Sequence, residues 1–273
     1  MQVAEHRKGI LAVALLVLVA AVFAQPAMPQ DPMYHQFADG RSVLGIPNGL
    51  NVLSNLPFLL VGIAGCWVAL GIRRRATPDN AWLAWPYLAL FLGTALTTFG
   101  SAYYHLAPDN PRLVWDRLPM TLGFMGLLSA MIGERVGLRL GRVLLGPLLL
   151  LGLGSVWYWQ ATERLGRGDL RPYLLVQFGS LALVLLLLIL YPARYTHTGY
   201  LWAAVAAYAA AKLLEAADHQ VFAAGYQVSG HTLKHLAAAA SVACIVRMLQ
   251  VRTPVASGTL LPTQPAPVAG ANH

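Results

Sequence analysis

Apolar runs of about twenty residues, the length that crosses a bilayer core as a helix, recur along most of this chain and are separated by short polar breaks. They fall at roughly 49–72, 82–106, 117–135, 141–160, 172–191, 199–218 and 229–249. Membrane β-strands would be about ten residues long with apolar–polar alternation; these runs are longer and apolar throughout. The pattern predicts an all-α integral membrane bundle of seven transmembrane helices, spanning residues 49–250.

The flanks read differently. His6, Arg7 and Lys8 precede an apolar stretch from Ile10 to Ala24, with Val22-Phe23-Ala24 as a possible cleavage site. Residues 1–25 are therefore a signal peptide-like segment or a retained signal-anchor helix, an eighth span. Pro26, Pro29, Pro32 and Pro47 punctuate 26–48, which reads as an extramembrane segment with turns. The tail, 251–273, is rich in Pro, Ala and Thr and is expected to be disordered.

Composition agrees with a lipid-embedded chain: 57% of residues are hydrophobic, only 11% are charged, and the mean hydropathy is +0.57. The net charge of +8 would suggest nucleic acid as a partner in a soluble protein. Here the arginines sit in short loops between apolar runs, and no basic patch is interleaved with aromatics, so nucleic acid is excluded. Arg73–Arg75, the Glu134–Arg142 loop with Arg135, Arg139 and Arg142, and Arg247 and Arg252 fall on the cytoplasmic side by the positive-inside rule. The loop 160–171 dissents mildly, its Arg164, Arg167 and Arg171 being mixed with Glu163 and Asp169. The C-terminus is thus expected inside and 26–48 outside. Cys66 and Cys244 lie within apolar runs and read as small buried residues.

Ionisable groups at membrane depth are costly and suggest function. Ser101 and His105 close the second span, Asp116 and Arg117 open the third, and His231 and His235 open the last. With the orientation above, all three clusters meet at one depth, near the outer leaflet. His231 and His235 are four apart and share a helix face, as do Ser101 and His105. Two imidazoles from one helix and a third from another can form a three-histidine zinc site with an open position for water. Zinc would bring that water's pKa towards about 7. Asp116 is placed to take a proton or orient the water, and Ser101 to hold a ligand or donate to an oxyanion.

Lys212, Glu215 and Asp218 share a face and are expected to pair internally; Glu134 and Arg135 are expected at the interface, His219 in a loop, and Trp157, Tyr158 and Trp159 in an aromatic belt. His6, His35, His197 and His273 are excluded as ligands.

Ser101-x-x-x-His105, Asp116 and the late His231-x-x-x-His235, with Asn51-Val-Leu-Ser-Asn55 opening the first family helix, resemble the alkaline ceramidase family over roughly 45–250. That family belongs to a superfamily (CREST) of seven-helix proteins that includes the adiponectin and progestin receptors. The resemblance implies zinc held by His105, His231 and His235, with Ser101 and Asp116 as the remaining site residues. It also implies hydrolysis of a ceramide amide to a sphingoid base and a fatty acid by zinc-activated water. The family's calcium-binding acidic segment has no counterpart, since Asp39 and Asn48 stand among Tyr34, His35 and Phe37; calcium is not expected. The signal-like start suggests a bacterial inner membrane, where the lipid amide need not be ceramide. No protein partner is expected beyond membrane lipids and the lipid substrate. The competing readings are a receptor-like or sensing protein of the same superfamily, which would need a sizeable partner-binding region, and a proton-relaying transporter, which would show internal repeats. The short loops and the lack of a repeat favour the hydrolase.

Overall fold

The computed structural model describes residues 2–75, 77–225 and 227–255. Most of the expected disordered tail, and His273 with it, lies outside the described residues.

Helices fill the long apolar runs. After α1 (Gln2–Phe23) the chain makes a 3-10 turn at Pro32–His35, then enters α2 (Gly49–Leu53) and α3 (Leu56–Arg75). A single turn, α4 (Pro78–Ala81), leads to α5 (Ala84–Leu106), α6 (Asn110–Arg135) and α7 (Leu138–Arg164). Next comes α8 (Arg171–Leu174), which continues through a π-helical turn at Leu175–Gly179 into α9 (Ser180–Leu190). The last elements are α10 (Gly199–Ala216), α11 (Asp218–Gly225) and α12 (Gly230–Val251).

Among the described residues, five segments are long and apolar enough to cross a membrane: Glu5–Phe23, Gly49–Arg74, Leu138–Arg164, Arg171–Leu190 and Gly230–Val251. Side chains such as Leu60, Trp67 and Leu150 stand outward and exposed, as lipid-facing positions do and as a water-soluble surface rarely does. Helices α5, α6 and α10 are not among these segments, and α5 and α6 turn many polar groups inward. Thr94, Thr97, Thr98, Ser101 and His105 of α5 are all buried, as are Asp116, Arg117, Thr121 and Ser129 of α6. The most apolar stretch of α1 buries no residue, although Leu11 touches the core.

The core runs between α5, α6 and α9 through Tyr87, Phe91, Met131 and Leu187. Two glycines set helix approaches next to chemistry-bearing residues. A Cβ on Gly100 would sit 1.9 Å from the Trp115 carbonyl oxygen, so the absence of a side chain lets α5 and α6 touch where Ser101 and Asp116 lie. A Cβ on Gly230 would sit 2.3 Å from the Leu214 carbonyl oxygen, which seats the start of α12 against the end of α10.

Several expectations are corrected here. The third run begins at Asn110 rather than 117, because Asp109 caps the helix by accepting from the Arg112 N–H at 2.7 Å and Pro111 suits its first turn. His219 is not in a loop but in α11, where the Ala217 carbonyl that closes α10 accepts from the Val221 N–H and restarts the helix. Glu134 and Arg135 are buried rather than interfacial. Glu134 pairs with Arg252 at 2.6 Å and accepts from the Tyr87 hydroxyl at 2.8 Å, while Arg135 donates to the Tyr191 carbonyl at 2.8 Å. Trp159 leaves the expected belt: Trp157 and Tyr158 are exposed, but Trp159 is fully buried and donates to Glu163 at 3.0 Å.

Candidate metal centre

One end of the bundle gathers the end of α5, the start of α6, the end of α10 and the start of α12. The first turn of α12 is well held. Ser229 caps it by accepting from the Thr232 N–H at 3.1 Å, and Asp218 accepts from the His231 N–H at 2.7 Å. Both bonds satisfy N–H groups that a helix start leaves without intrahelical partners. His231 and His235 then project from one face, and His105 reaches them from the last turn of α5.

The three imidazoles are buried, and their rings form a near-equilateral triangle with centroids 4.9, 5.0 and 4.9 Å apart. One nitrogen from each lies within 4.8 Å of the others, so together they could hold a metal ion. His105 Nε2 and His231 Nε2 are 3.3 Å apart. Two nitrogens on a tetrahedral ion with bonds of about 2.05 Å are separated by about 3.4 Å, so the spacing fits a shared cation.

The surrounding hydrogen bonds favour the ligand form. Ser54 Oγ donates to the Asn51 carbonyl at 3.1 Å, and His235 Nδ1 lies 2.7 Å from Ser54 Oγ. With the hydroxyl proton engaged there, Ser54 accepts from Nδ1–H, which leaves the Nε2 lone pair of His235 free for a metal. Lys234 Nζ is 3.0 Å from His231 Nε2, and an ammonium only donates, so that nitrogen also presents a lone pair. The ammonium and a cation would compete for it; Glu215, 3.1 Å from Lys234 Nζ, gives the ammonium an alternative partner. His105 Nδ1 is buried without a hydrogen-bond partner. Ser54→Ala removes the oxygen that orients His235 and is expected to weaken metal binding about 10- to 100-fold, measured by competition with a chromophoric chelator.

Segment 26–48 is a strap across this end. Its anchors are Met28, whose carbonyl accepts from the Leu170 N–H at 2.8 Å, and His35, 2.9 Å from both the Tyr104 hydroxyl and Asn110 Oδ1. Phe37 lies over the triangle, with ring centroids 4.7 Å from His105 and 4.4 Å from His231. The Ala38 N–H donates to Asp218 at 2.9 Å, and Asn48 Nδ2 donates to the His105 carbonyl at 2.8 Å. Asp39 is gripped by Arg41 through two contacts of 2.8 Å, and the guanidinium holds its carboxyl below the usual carboxylate range.

Beside the histidines is a polar chamber of about 270 Å³, whose walls include Ser101, Asp116, Arg117, Lys234 and His235. It shares wall residues, among them Phe58, Tyr208 and Lys212, with a largely apolar cavity of about 350 Å³ that reaches Leu188 and Ile245. All five residues expected to carry chemistry thus lie at this end of the bundle. No family model, curated protein or solved structure matches the chain.

Of the three residues expected to pair on α10 and its end, Lys212 and Glu215 do so, and Glu215 also meets Lys234. Asp218 does not join them, because the His231 and Ala38 N–H groups take its oxygens. Sequence reasoning missed Ser54, Phe37 and Lys234 as neighbours of the histidines. The one local signal was the polar Asn51–Asn55 stretch opening an apolar run. Cys66 and Cys244 are free and partly buried, away from the centre.

Proposed function

We propose that the chain is a zinc-dependent, membrane-embedded hydrolase that cleaves the amide of ceramide-like lipids to a long-chain amine and a fatty acid. The observation that carries the reading is the meeting of three buried imidazoles, from α5 and α12, of which His235 also lines a polar chamber that shares wall residues with an apolar cavity. The motif resemblance to the alkaline ceramidases points the same way. In this reading the helices at 49–251 make seven crossings, with α1 as a signal-anchor. The centre lies near the outer leaflet of a bacterial inner membrane, with the arginine-rich opposite end and the C-terminus in the cytoplasm.

Imidazole donors suit zinc, whereas calcium takes oxygen ligands. A zinc ion held by His105, His231 and His235 would supply Lewis acidity, polarising the amide carbonyl and acidifying water. The chain's own groups do the rest. Asp116 accepts the proton of the attacking water and returns it to the departing amine nitrogen, which must be protonated to leave. Ser101 donates to the oxyanion that develops on the carbonyl. The apolar cavity holds a hydrocarbon chain, and Phe37 with the strap keeps bulk water from the reacting bond.

Protein purified in non-ionic detergent is expected to carry about one zinc per chain, as three nitrogen ligands and an open position imply, and to release fatty acid from an N-acyl sphingoid base. Chelation should abolish the release and added zinc restore it. Full turnover in a zinc-free preparation would remove the reading; bound zinc with no turnover on any acyl amide would favour the receptor-like alternative.

A further inference from the structure

Arg117 is the unusual resident of the polar chamber. It is only 5% exposed, and among the described residues no carboxylate lies within ion-pair distance of it. One of its terminal nitrogens, Nη2, donates to the Gln30 side chain at 2.7 Å; the other, Nη1, is buried with no hydrogen-bond partner. The guanidinium carbon lies over three aromatic rings, 4.3 Å from the Trp159 centroid, 4.7 Å from that of Tyr173 and 5.6 Å from that of Tyr34. It is therefore a rigid donor, positioned by neutral groups and left with an open valence.

A buried cation without an anionic partner is costly to keep, and guanidinium suits planar, two-point recognition of carboxylate or phosphate. The other charges of the chamber do not meet the need. Glu215 is engaged by Lys212 and Lys234. Asp116 is the remaining carboxylate in the wall, so three cations face two anions there before any metal adds its charge. The chamber also shares wall residues with the apolar cavity, a neighbourhood that suits an amphiphile better than a free ion.

We propose that Arg117 is an anion-recognition residue, and that the amphiphile accepted here carries a carboxylate, phosphate or sulfonate group close to the bond presented to the three histidines. The proposal rests on the reading of this chamber as the substrate site. Among lipid amides it gives acidic N-acyl lipids preference over neutral ceramides.

The test separates the two claims. Full-length protein in non-ionic detergent, freed of metal by chelation, is titrated with dodecyl phosphate, with 1-dodecanol and with inorganic phosphate, and binding is followed by calorimetry. Dodecyl phosphate is expected to bind about 10- to 100-fold more tightly than dodecanol, the range of a buried charge-assisted hydrogen bond. Arg117→Met should abolish that preference, and Arg117→Lys should retain part of it. Equal binding of phosphate and alcohol, or a preference that survives in a folded Arg117→Met protein, overturns the proposal. Inorganic phosphate binding as tightly as dodecyl phosphate also overturns it, by making this a free-anion site. In turnover, N-palmitoylglycine should exceed its methyl ester in kcat/KM by a similar factor, lost in Arg117→Met through KM. Turnover without any charge preference sinks the proposal and spares the hydrolase; charge preference without turnover supports Arg117 and sinks the hydrolase.

Discussion

His231→Ala protein is expected to hold less than about a tenth of the wild-type zinc and to lose at least about 1,000-fold in amide hydrolysis. The removed ring is one of three nitrogens, and a two-imidazole site keeps neither the geometry nor the affinity of the original. Lewis-acid stabilisation is worth several kcal/mol, and each 1.36 kcal/mol is tenfold in rate, so its loss reaches three orders of magnitude or more. The backbone should tolerate the change. The His231 N–H still donates to Asp218, and Ser229 still caps the helix through Thr232. Metal analysis together with a fatty-acid release assay decides the matter. A variant that keeps both zinc and rate would remove His231 from the centre.

Asp116→Asn should behave differently. Asparagine keeps the shape of the side chain but cannot carry the proton from water to the leaving amine. The variant is expected to retain zinc and to lose about 100- to 10,000-fold in kcat, the usual worth of a positioned acid–base group. Zinc content and steady-state rates on the same preparation distinguish the roles. An unchanged rate would end the proton-transfer assignment. Loss of zinc along with rate would make the carboxylate a ligand.

The periodicity of the chain located the helices because apolar runs of bilayer length dominate it. Their ends were harder. α6 starts at Asn110 because Asp109 and Pro111 act locally, upstream of the apolar onset at 117. The histidine triangle was legible because His231 and His235 obey a local rule, four residues apart on a helix, and because alternating helices bring His105 to the same end. What escaped was the set of partners distant in sequence. Glu134 meets Arg252 across 118 positions, and His235 meets Ser54 across 181. Nothing in the residues around Trp159 announces that Arg117 will stack on it. The prolines of 26–48 announced turns, but not that Phe37 would settle over two imidazoles.

Zinc K-edge X-ray absorption on the purified, metal-loaded protein tests the central claim most directly. The account expects three imidazole nitrogens at about 2.0–2.1 Å with the outer-shell scattering of histidine rings, plus one further light atom, and loss of imidazole scattering when His105, His231 or His235 is replaced. A first shell of oxygen alone, with no ring scattering, would mean that the three histidines do not share an ion.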